Sequence, residues 1–323
     1  MTADALLYLI SDDDITRALR DDVRSGLTGS PKVLPPRWFY DARGSELFEE
    51  ITRLPEYYPT RAERAILTER ATEIAAVTRA KTLVELGSGS SDKTRLLLDA
   101  LSRIGELGAF VPLDVSASAL EQSTVDIATA YPGISVRGVV GDFTRHLSAL
   151  PAGGKRLVAF LGGTIGNLVP TERAAFLHAV RAELDPGEWL LIGTDLVKSP
   201  HVLVPAYDDA AGVTADFNRN VLRVINRELG ADFDPDGFQH VAVWDARNEW
   251  IEMRLRASRP YRVTVRALDL AVDFADGEEM RTEISAKFHP DGVKAELAAA
   301  GFTATHRWSD SYGRFLVTLA QAG

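Results

Sequence analysis

Thirteen residues, Thr82-Leu-Val-Glu-Leu-Gly-Ser-Gly-Ser-Ser-Asp-Lys-Thr94, leave this chain few folds to choose from. Apolar and β-branched residues run into Glu85, Gly87 and Gly89 punctuate a turn, and Lys93-Thr-Arg-Leu-Leu-Leu-Asp99 reads as a helix. Glycine lacks a Cβ, so it accepts positive φ and lets the backbone approach a ligand closely. The free N–H groups at the start of the helix then favour negative charge. A phosphate loop of the Gly-x-x-x-x-Gly-Lys-Thr kind is excluded, because Asp92 precedes Lys93-Thr94 and its carboxylate would face the phosphates. The dinucleotide fingerprint Gly-x-Gly-x-x-Gly fails at its third glycine, which is again Asp92. What remains is an acidic residue ending a strand two positions before Gly-x-Gly.

From this turn onward strands and helices alternate, the signature of a parallel sheet. Strands are predicted near 82–86, 110–115, 134–140, 156–161 and 188–195, with helices near 93–104, 117–130 and 171–184. In such sheets the carboxyl ends of the strands line the ligand crevice. Glu85, Asp114, Asp142 and Asn167 all fall there, and Asp114 is placed to accept from the hydroxyls of a ribose. After Asp195 the alternation stops. One helix is predicted around 207–229, followed by strands at 238–245, 250–257, 261–268 and 281–288. The alternation in Ile251-Glu-Met-Arg-Leu-Arg predicts antiparallel pairing with one wet face. A helix from Pro290 and a hairpin of 303–308 with 314–319 complete the pattern. Upstream, helices are predicted over 12–28, 45–53 and 61–77. Between them, Leu34-Pro-Pro-Arg-Trp-Phe-Tyr-Asp41 and Leu54-Pro-Glu-Tyr-Tyr-Pro-Thr60 are stiff irregular segments rich in aromatics.

Charge and composition bear on partners. The net charge of −10 argues against unspecific binding to nucleic acid or to an anionic membrane, which needs a basic face. No cysteine is present, which removes disulfides and thiolate chemistry and fits a reducing cytoplasm. The six histidines are scattered without metal-ligand spacing, so no metal site is expected. No stretch approaches the roughly 20 apolar residues of a membrane span, and Ala5 to Ile10 is too short for a signal peptide.

The glycine turn resembles the first motif of S-adenosylmethionine-dependent methyltransferases. Across nearly the whole chain the sequence resembles one family, the L-histidine α-N-methyltransferases of ergothioneine biosynthesis. The resemblance rests on Leu34-Pro-Pro-Arg-Trp-Phe-Tyr-Asp41, Ile51-Thr-Arg-Leu-Pro-Glu-Tyr-Tyr-Pro-Thr-Arg61, Glu85-Leu-Gly-Ser-Gly, Phe160-Leu-Gly-Gly-Thr-Ile-Gly-Asn167, Ala206-Tyr-Asp-Asp-Ala-Ala-Gly-Val-Thr214, Phe217-Asn-Arg-Asn-Val-Leu222 and Gly277-Glu-Glu-Met-Arg-Thr-Glu-Ile-Ser285. It implies an α/β fold: a Rossmann-like class I methyltransferase sheet, mostly parallel with a terminal antiparallel hairpin, plus a second α+β substrate-binding domain. The sheet domain would take 61–198 and 287–323, and the substrate domain 1–60 and 199–286.

By the same resemblance Gly87, Lys93, Asp114, Asp142 and Phe143 hold S-adenosylmethionine. Tyr57, Asn167, Tyr207, Glu283 and Ser285 bind L-histidine, with Tyr40 and Asn167 nearest the chemistry. Glu283 and Ser285 are two apart, so on a strand they share a face and can serve the two nitrogens of an imidazole. The implied reaction is trimethylation of the α-amine to hercynine by a cytoplasmic monomer, with no metal, nucleic acid or membrane partner. Two other classes stay open at this point: a methyltransferase for another small amine or amino acid, and a non-catalytic nucleotide-binding protein.

Overall fold

The computed structural model describes residues 4–89 and 93–323. Its strands in chain order are β1 (Asp4–Tyr8), β2 (Thr82–Leu86), β3 (Ala109–Asp114), β4 (Ser135–Val140), β5 (Arg156–Phe160), β6 (Trp189–Asp195), β7 (Phe238–Asp245), β8 (Trp250–Ala257), β9 (Tyr261–Val265), β10 (Leu270–Phe274), β11 (Glu279–Ala286), β12 (Phe302–Ser309) and β13 (Phe315–Ala322). The helices are α1 (Asp12–Thr28), α2 (Ala42–Arg53), α3 (Pro59–Thr78), α4 (Thr94–Arg103), α5 (Ala117–Ala130), α6 (Pro170–Glu183), α7 (Pro200–Tyr207), α8 (Val213–Leu229) and α9 (Pro290–Ala299). They fall into two compact units. One takes its described residues from Met1–Ile10, Pro59–Val197 and Lys287–Gly323, the other from Ser11–Tyr58 and Lys198–Ala286.

Among the described residues, the first unit is built on an eight-stranded sheet in the order β1-β4-β3-β2-β5-β6-β13-β12. The strands from β1 to β6 pair in parallel, and β13 runs antiparallel to both β6 and β12. This is the expected Rossmann-like sheet with its closing hairpin. Leu83, Phe110, Leu157, Leu191 and Val317 from five of its strands are buried together in its core. One strand was not anticipated: β1 adds to the outer edge, in register at Leu7–Val139 and Tyr8–Val140. Residues 4–10 therefore group with the sheet, whereas the sequence reading assigned 1–60 to the other domain. Space explains the docking, since a Cβ on Gly138 of β4 would come within 2.4 Å of Leu6 Cδ2.

The second unit packs α1, α2, α7 and α8 with two small antiparallel sheets, β11-β8-β7 and β10-β9. Alternation in β8 works as expected: Ile251, Met253, Leu255 and Ala257 are buried. The opposite face carries an ion-pair ladder in which Arg254 joins Glu252 and Glu279, each at 2.6 Å, and Arg256 joins Glu279 at 2.5 Å. Two elements differ from expectation. The helix predicted around 207–229 starts only at Val213, as α8, because Asp209 accepts from Val213 N at 3.0 Å and Thr214 N at 2.8 Å and caps it, and α7 before it was not predicted. Gly212 turns at φ +77° just before it. The strand predicted over 261–268 ends at Val265; Asp269 turns at φ +47°, and β10 returns as an unpredicted partner.

Each helix start in this unit has its own stop for the free N–H groups. Ser11 caps α1 in a reciprocal box with Asp14, and Asp12, Asp13 and Asp14 put negative charge on the positive end of the dipole. Asp41 caps α2 by accepting from Gly44 N at 2.8 Å, and its carboxylate also accepts from Asn220 and Arg227 of α8. Burial works to raise the Asp41 pKa, yet these donors hold it below the ordinary value of 3.8. That cap places Gly44 against the chain: a Cβ there would lie 1.7 Å from the carbonyl oxygen of Phe39. Backbone cannot give way as a side chain tip does. Gly44→Ala should therefore destabilise the protein by about 1–3 kcal/mol, the range for overpacking a fitted site, read as a lower denaturant midpoint. An unchanged midpoint would mean that the Phe39–Gly44 turn relaxes freely.

Candidate functional site

The first unit's candidate residues gather at the carboxyl ends of β2, β3, β4 and β5. β2 is the pivot, because the chain crosses from it to β3 on one side and β5 lies on the other. Loops leaving such a point diverge and leave a crevice. Gly87 (φ +68°) and Gly89 (φ +49°) both need the left-handed region. Gly87 N donates to Leu113 O at 2.8 Å, fixing the turn to the end of β3. A Cβ on Gly89 would meet nothing within 4 Å among the described residues. The remaining turn residues, Ser90, Ser91 and Asp92, lie outside those described.

Asp114 ends β3 in a fixed pose. Its Oδ1 accepts from Ser116 N at 2.9 Å and its Oδ2 from Gly89 N at 3.0 Å. Burial pushes its pKa above 3.8 and prevails over the backbone donors of Ser116, Gly89 and Val115, which pull it down. Asp142 forms a local turn, its Oδ1 accepting from Thr144 N at 2.8 Å and Thr144 Oγ1 at 2.6 Å. Phe143 follows with its ring edge-on to Phe160 at 5.1 Å and Phe176 at 5.7 Å. The same ring reaches back to the turn, since a Cβ on Gly87 would lie 3.8 Å from Phe143 Cε1. Gly87, Asp114, Asp142 and Phe143 thus lie together at adjoining strand ends. Asn167 is half-buried at the end of the tight turn Thr164–Asn167 after β5, entered through Gly162 (φ +80°) and Gly163 (φ +71°).

Lys93 is held differently from a free cation at a helix start. Its ammonium pairs with Glu63 of α3, whose side chain is fully buried. Glu63 also accepts from Gly162 N, at 2.9 and 3.0 Å to its two oxygens. One carboxylate therefore ties α3, the start of α4 and the loop after β5. Gly193 makes room for it, because a Cβ there would fall 2.1 Å from Glu63 Oε1. Sequence reasoning missed Glu63, although the signal was present: it occupies the apolar stripe of α3 with Ala62, Ile66 and Leu67. A carboxylate among buried positions has to have partners. It also placed Glu85 at the ligand crevice, but Glu85 is buried and accepts from the Thr94 hydroxyl, which binds β2 to α4.

These strand ends fit an adenosyl cofactor on their own chemistry. The turn's glycines carry no Cβ, a half-buried carboxylate stands at the second strand end, and an aromatic ring lies beside the turn. The Ser88 hydroxyl is buried within the turn with no hydrogen-bond partner among the described residues.

The second unit brings its candidates together as a chain of rings. Tyr40 packs edge-on against Phe48 at 5.7 Å and Phe217 at 5.4 Å; Phe48 meets Tyr57 at 6.3 Å, and Tyr57 meets Tyr207 at 6.2 Å. The Tyr207 hydroxyl hydrogen-bonds Ser285 Oγ at 2.8 Å. Glu283, half-buried, stands two residues before Ser285 on β11. Phe48 and Phe217 were not among the predicted residues; each lies on a helix whose apolar spacing reads as ordinary packing.

Residues 19–322 match the family described as histidine-specific, SAM-dependent methyltransferases. The chain is 58% identical over 320 residues to the histidine N-alpha-methyltransferase of Mycolicibacterium smegmatis, covering 99% of each. It is 60% identical over 303 residues to the enzyme of that name from Mycobacterium tuberculosis, covering 94% of each. It is also 30% identical over 296 residues to ergothioneine biosynthesis protein 1 of Neurospora crassa, covering 89% of this chain and 33% of that one.

The Lys93–Glu63 pair yields a stability test. Lys93→Met leaves a buried carboxylate short of its cation and should cost about 1–3 kcal/mol, the penalty for an unsatisfied buried group. Adding Glu63→Gln removes the charge while keeping an acceptor for Gly162 N, so the double variant should recover part of the loss in a thermal melt. A double variant less stable than Lys93→Met alone would contradict this account.

Proposed function

Because the chain belongs to the SAM-dependent, histidine-specific methyltransferases, we propose that it transfers three methyl groups in succession to the α-amine of free L-histidine, yielding hercynine on the way to ergothioneine. The protein is an enzyme that uses S-adenosylmethionine. The observation that carries the substrate reading is the Tyr207–Ser285 hydrogen bond with Glu283 on the same strand face. A carboxylate and a hydroxyl so spaced suit the N–H and the bare nitrogen of an imidazole. Histidine methylation by the mycobacterial relatives supports the same reading.

In this proposal Gly87, Lys93, Asp114, Asp142 and Phe143 hold the cofactor. Asp114 accepts from the ribose hydroxyls, Asp142 from the adenine amine, and the Phe143 ring and N–H line the base. Bound there, S-adenosylmethionine supplies an electrophilic methyl group on a sulfonium centre. The chain's own task is alignment, because in-line displacement at carbon gains most from orientation. Asn167 and Tyr207 engage the carboxylate and amine region of the amino acid, and Tyr40 and Tyr57 border the amine. The amine arrives as an ammonium at neutral pH, so one proton has to leave before each transfer. Tyrosine hydroxyls and water relay it. As methyl groups accumulate, ring faces hold the growing cation where hydrogen-bond acceptors no longer can.

We further read the protein as a cytoplasmic monomer that engages neither nucleic acid nor membrane. The acidic balance of −10 supports this, and no helix among the described residues is long and apolar enough to cross a membrane.

Incubation with histidine and S-adenosylmethionine should give mono-, di- and trimethylated histidine by mass spectrometry, with the trimethyl species accumulating. A product only with other amines would overturn the substrate. The cofactor site has a separate test. Asp114→Asn should weaken S-adenosylhomocysteine by about 1.5–3 kcal/mol, the range for a hydrogen bond to a charged group, measured by calorimetry. The pH dependence has a defined sign. A carboxyl whose folded pKa lies above 3.8 begins to lose its charge above that pH as acid is added, and cofactor affinity should fall with it. For folding the sign is opposite: the raised pKa contributes stability below 3.8 that is lost as pH rises through the folded value. Asp114→Asn should therefore flatten the acid limb of binding without weakening the fold at neutral pH. A variant with unchanged affinity removes Asp114 from the site.

A further inference from the structure

Behind Tyr207 lies a buried polar chain that the reading above does not use. Thr282, the residue at the irregularity in the β11–β8 register, turns its hydroxyl inward and donates to Asn218 Oδ1 at 2.6 Å, with Met253 O as a second acceptor at 3.0 Å. Asn218 Nδ2 lies 3.1 Å from Arg254 O and 2.8 Å from His240 Nδ1. His240 Nε2 lies 2.8 Å from the carbonyl oxygen of Tyr207, the last residue of α7. Thr282 and Asn218 are both fully buried, and His240 is 6% exposed.

The chemistry of these partners leaves one assignment. A backbone carbonyl only accepts, so the amide nitrogen of Asn218 has to face Arg254 O, and its oxygen then faces the Thr282 hydroxyl. The second amide hydrogen points at His240 Nδ1, which therefore carries a lone pair. The proton sits on Nε2 and is donated to Tyr207 O. An imidazolium would set an N–H against the Asn218 N–H; burial, which holds the His240 pKa below 6.5, works the same way. The carbonyl so bound is one of the orphan acceptors at a helix end. Four side chains thus run in a loop from Thr282, beside Glu283, round to Tyr207, whose hydroxyl returns to Ser285 on the same strand.

We propose that His240, locked as a neutral Nε2–H tautomer by Asn218, is a positioning residue that sets Tyr207 against the Glu283–Ser285 face of β11 and so tunes recognition of the amino-acid substrate. His240 touches neither reacting atoms nor ligand in this account; it acts through Tyr207. The proposal rests on the reading that this unit takes histidine.

The test measures the histidine KM, the S-adenosylmethionine KM and kcat for Tyr207→Phe, His240→Leu and the double variant, following methylated histidine by mass. Each single variant should raise the histidine KM by about tenfold while leaving the cofactor KM in place, because a contact equal in ground and transition states appears in KM. The double variant should be no worse than the poorer single one, since the two changes remove one function. Multiplicative losses, or a cofactor KM that rises in step, would overturn the positioning role while Tyr207 keeps its place in the pocket. A Tyr207→Phe variant with an unchanged histidine KM would instead remove the pocket reading, and this proposal with it. Should His240→Leu fail to fold, nitrogen NMR of the wild-type protein at pH 7 decides: a neutral ring protonated at Nε2 supports the lock, and an imidazolium or the Nδ1–H tautomer refutes it.

Discussion

The right-handed crossover of parallel strands is the constraint from which the first unit follows. A strand–helix–strand unit returns to its sheet with one hand. The chain steps outward from β2 through β3 to β4, then crosses back to lay β5 on the other flank of β2. The loops after β2 and β5 therefore leave in opposite senses. The unit's candidate ligand residues sit at these and the neighbouring strand ends: the two positive-φ glycines after β2, Asp114 pinned by two backbone donors at the end of β3, Asp142 and Phe143 after β4, and the turn after β5 that ends in Asn167. Glu63 then fixes their spacing from below, because a buried carboxylate with one cation and one backbone donor has no comparable second pose.

The second unit solves a different problem. Its candidate residues are large rings, which pack edge to face and so resist sliding. Rings alone define walls but not direction. Direction comes from the polar groups behind them, each with its partner: the Asp41 cap that ties the start of α2 to α8, and the Asn218–His240 pair under Tyr207. Unpaired, such groups would cost more than the packing around them returns. Satisfied, they leave one arrangement of the walls.

Legibility in the sequence followed how local each signal was. The five central strands and the helices over 94–103, 117–130 and 170–183 arise from periodicity and glycine punctuation within a short window, and they stand close to where that pattern puts them. The start of α8 at Val213 was legible in principle, since Asp209 and Gly212 are cap and turn residues, but the predicted helix ran through both from about 207. β1 was not legible, because five residues docking on a distant edge carry no pattern of their own; the cue is a missing side chain at Gly138, far along the chain. For the site, Asp114, Asp142 and Phe143 follow from strand ends. Glu63, Asn218 and His240 do not, since their meaning lies in partners brought from 30 or 22 residues away or more.

The position of the last strand has a consequence for how the molecule is made. β13 (Phe315–Ala322) is not at an edge: it lies between β6 and β12 and is hydrogen-bonded to both. Until residue 322 has left the ribosome, the whole flank of β6 presents open donors and acceptors, and β12 has no strand to join. An open apolar edge of that kind is a template for another chain. Vectorial synthesis therefore leaves this flank of β6 open until residues 315–322 emerge. The same eight residues that seal β6 to β12 thus set how long that flank stays exposed to a chaperone or to a second chain.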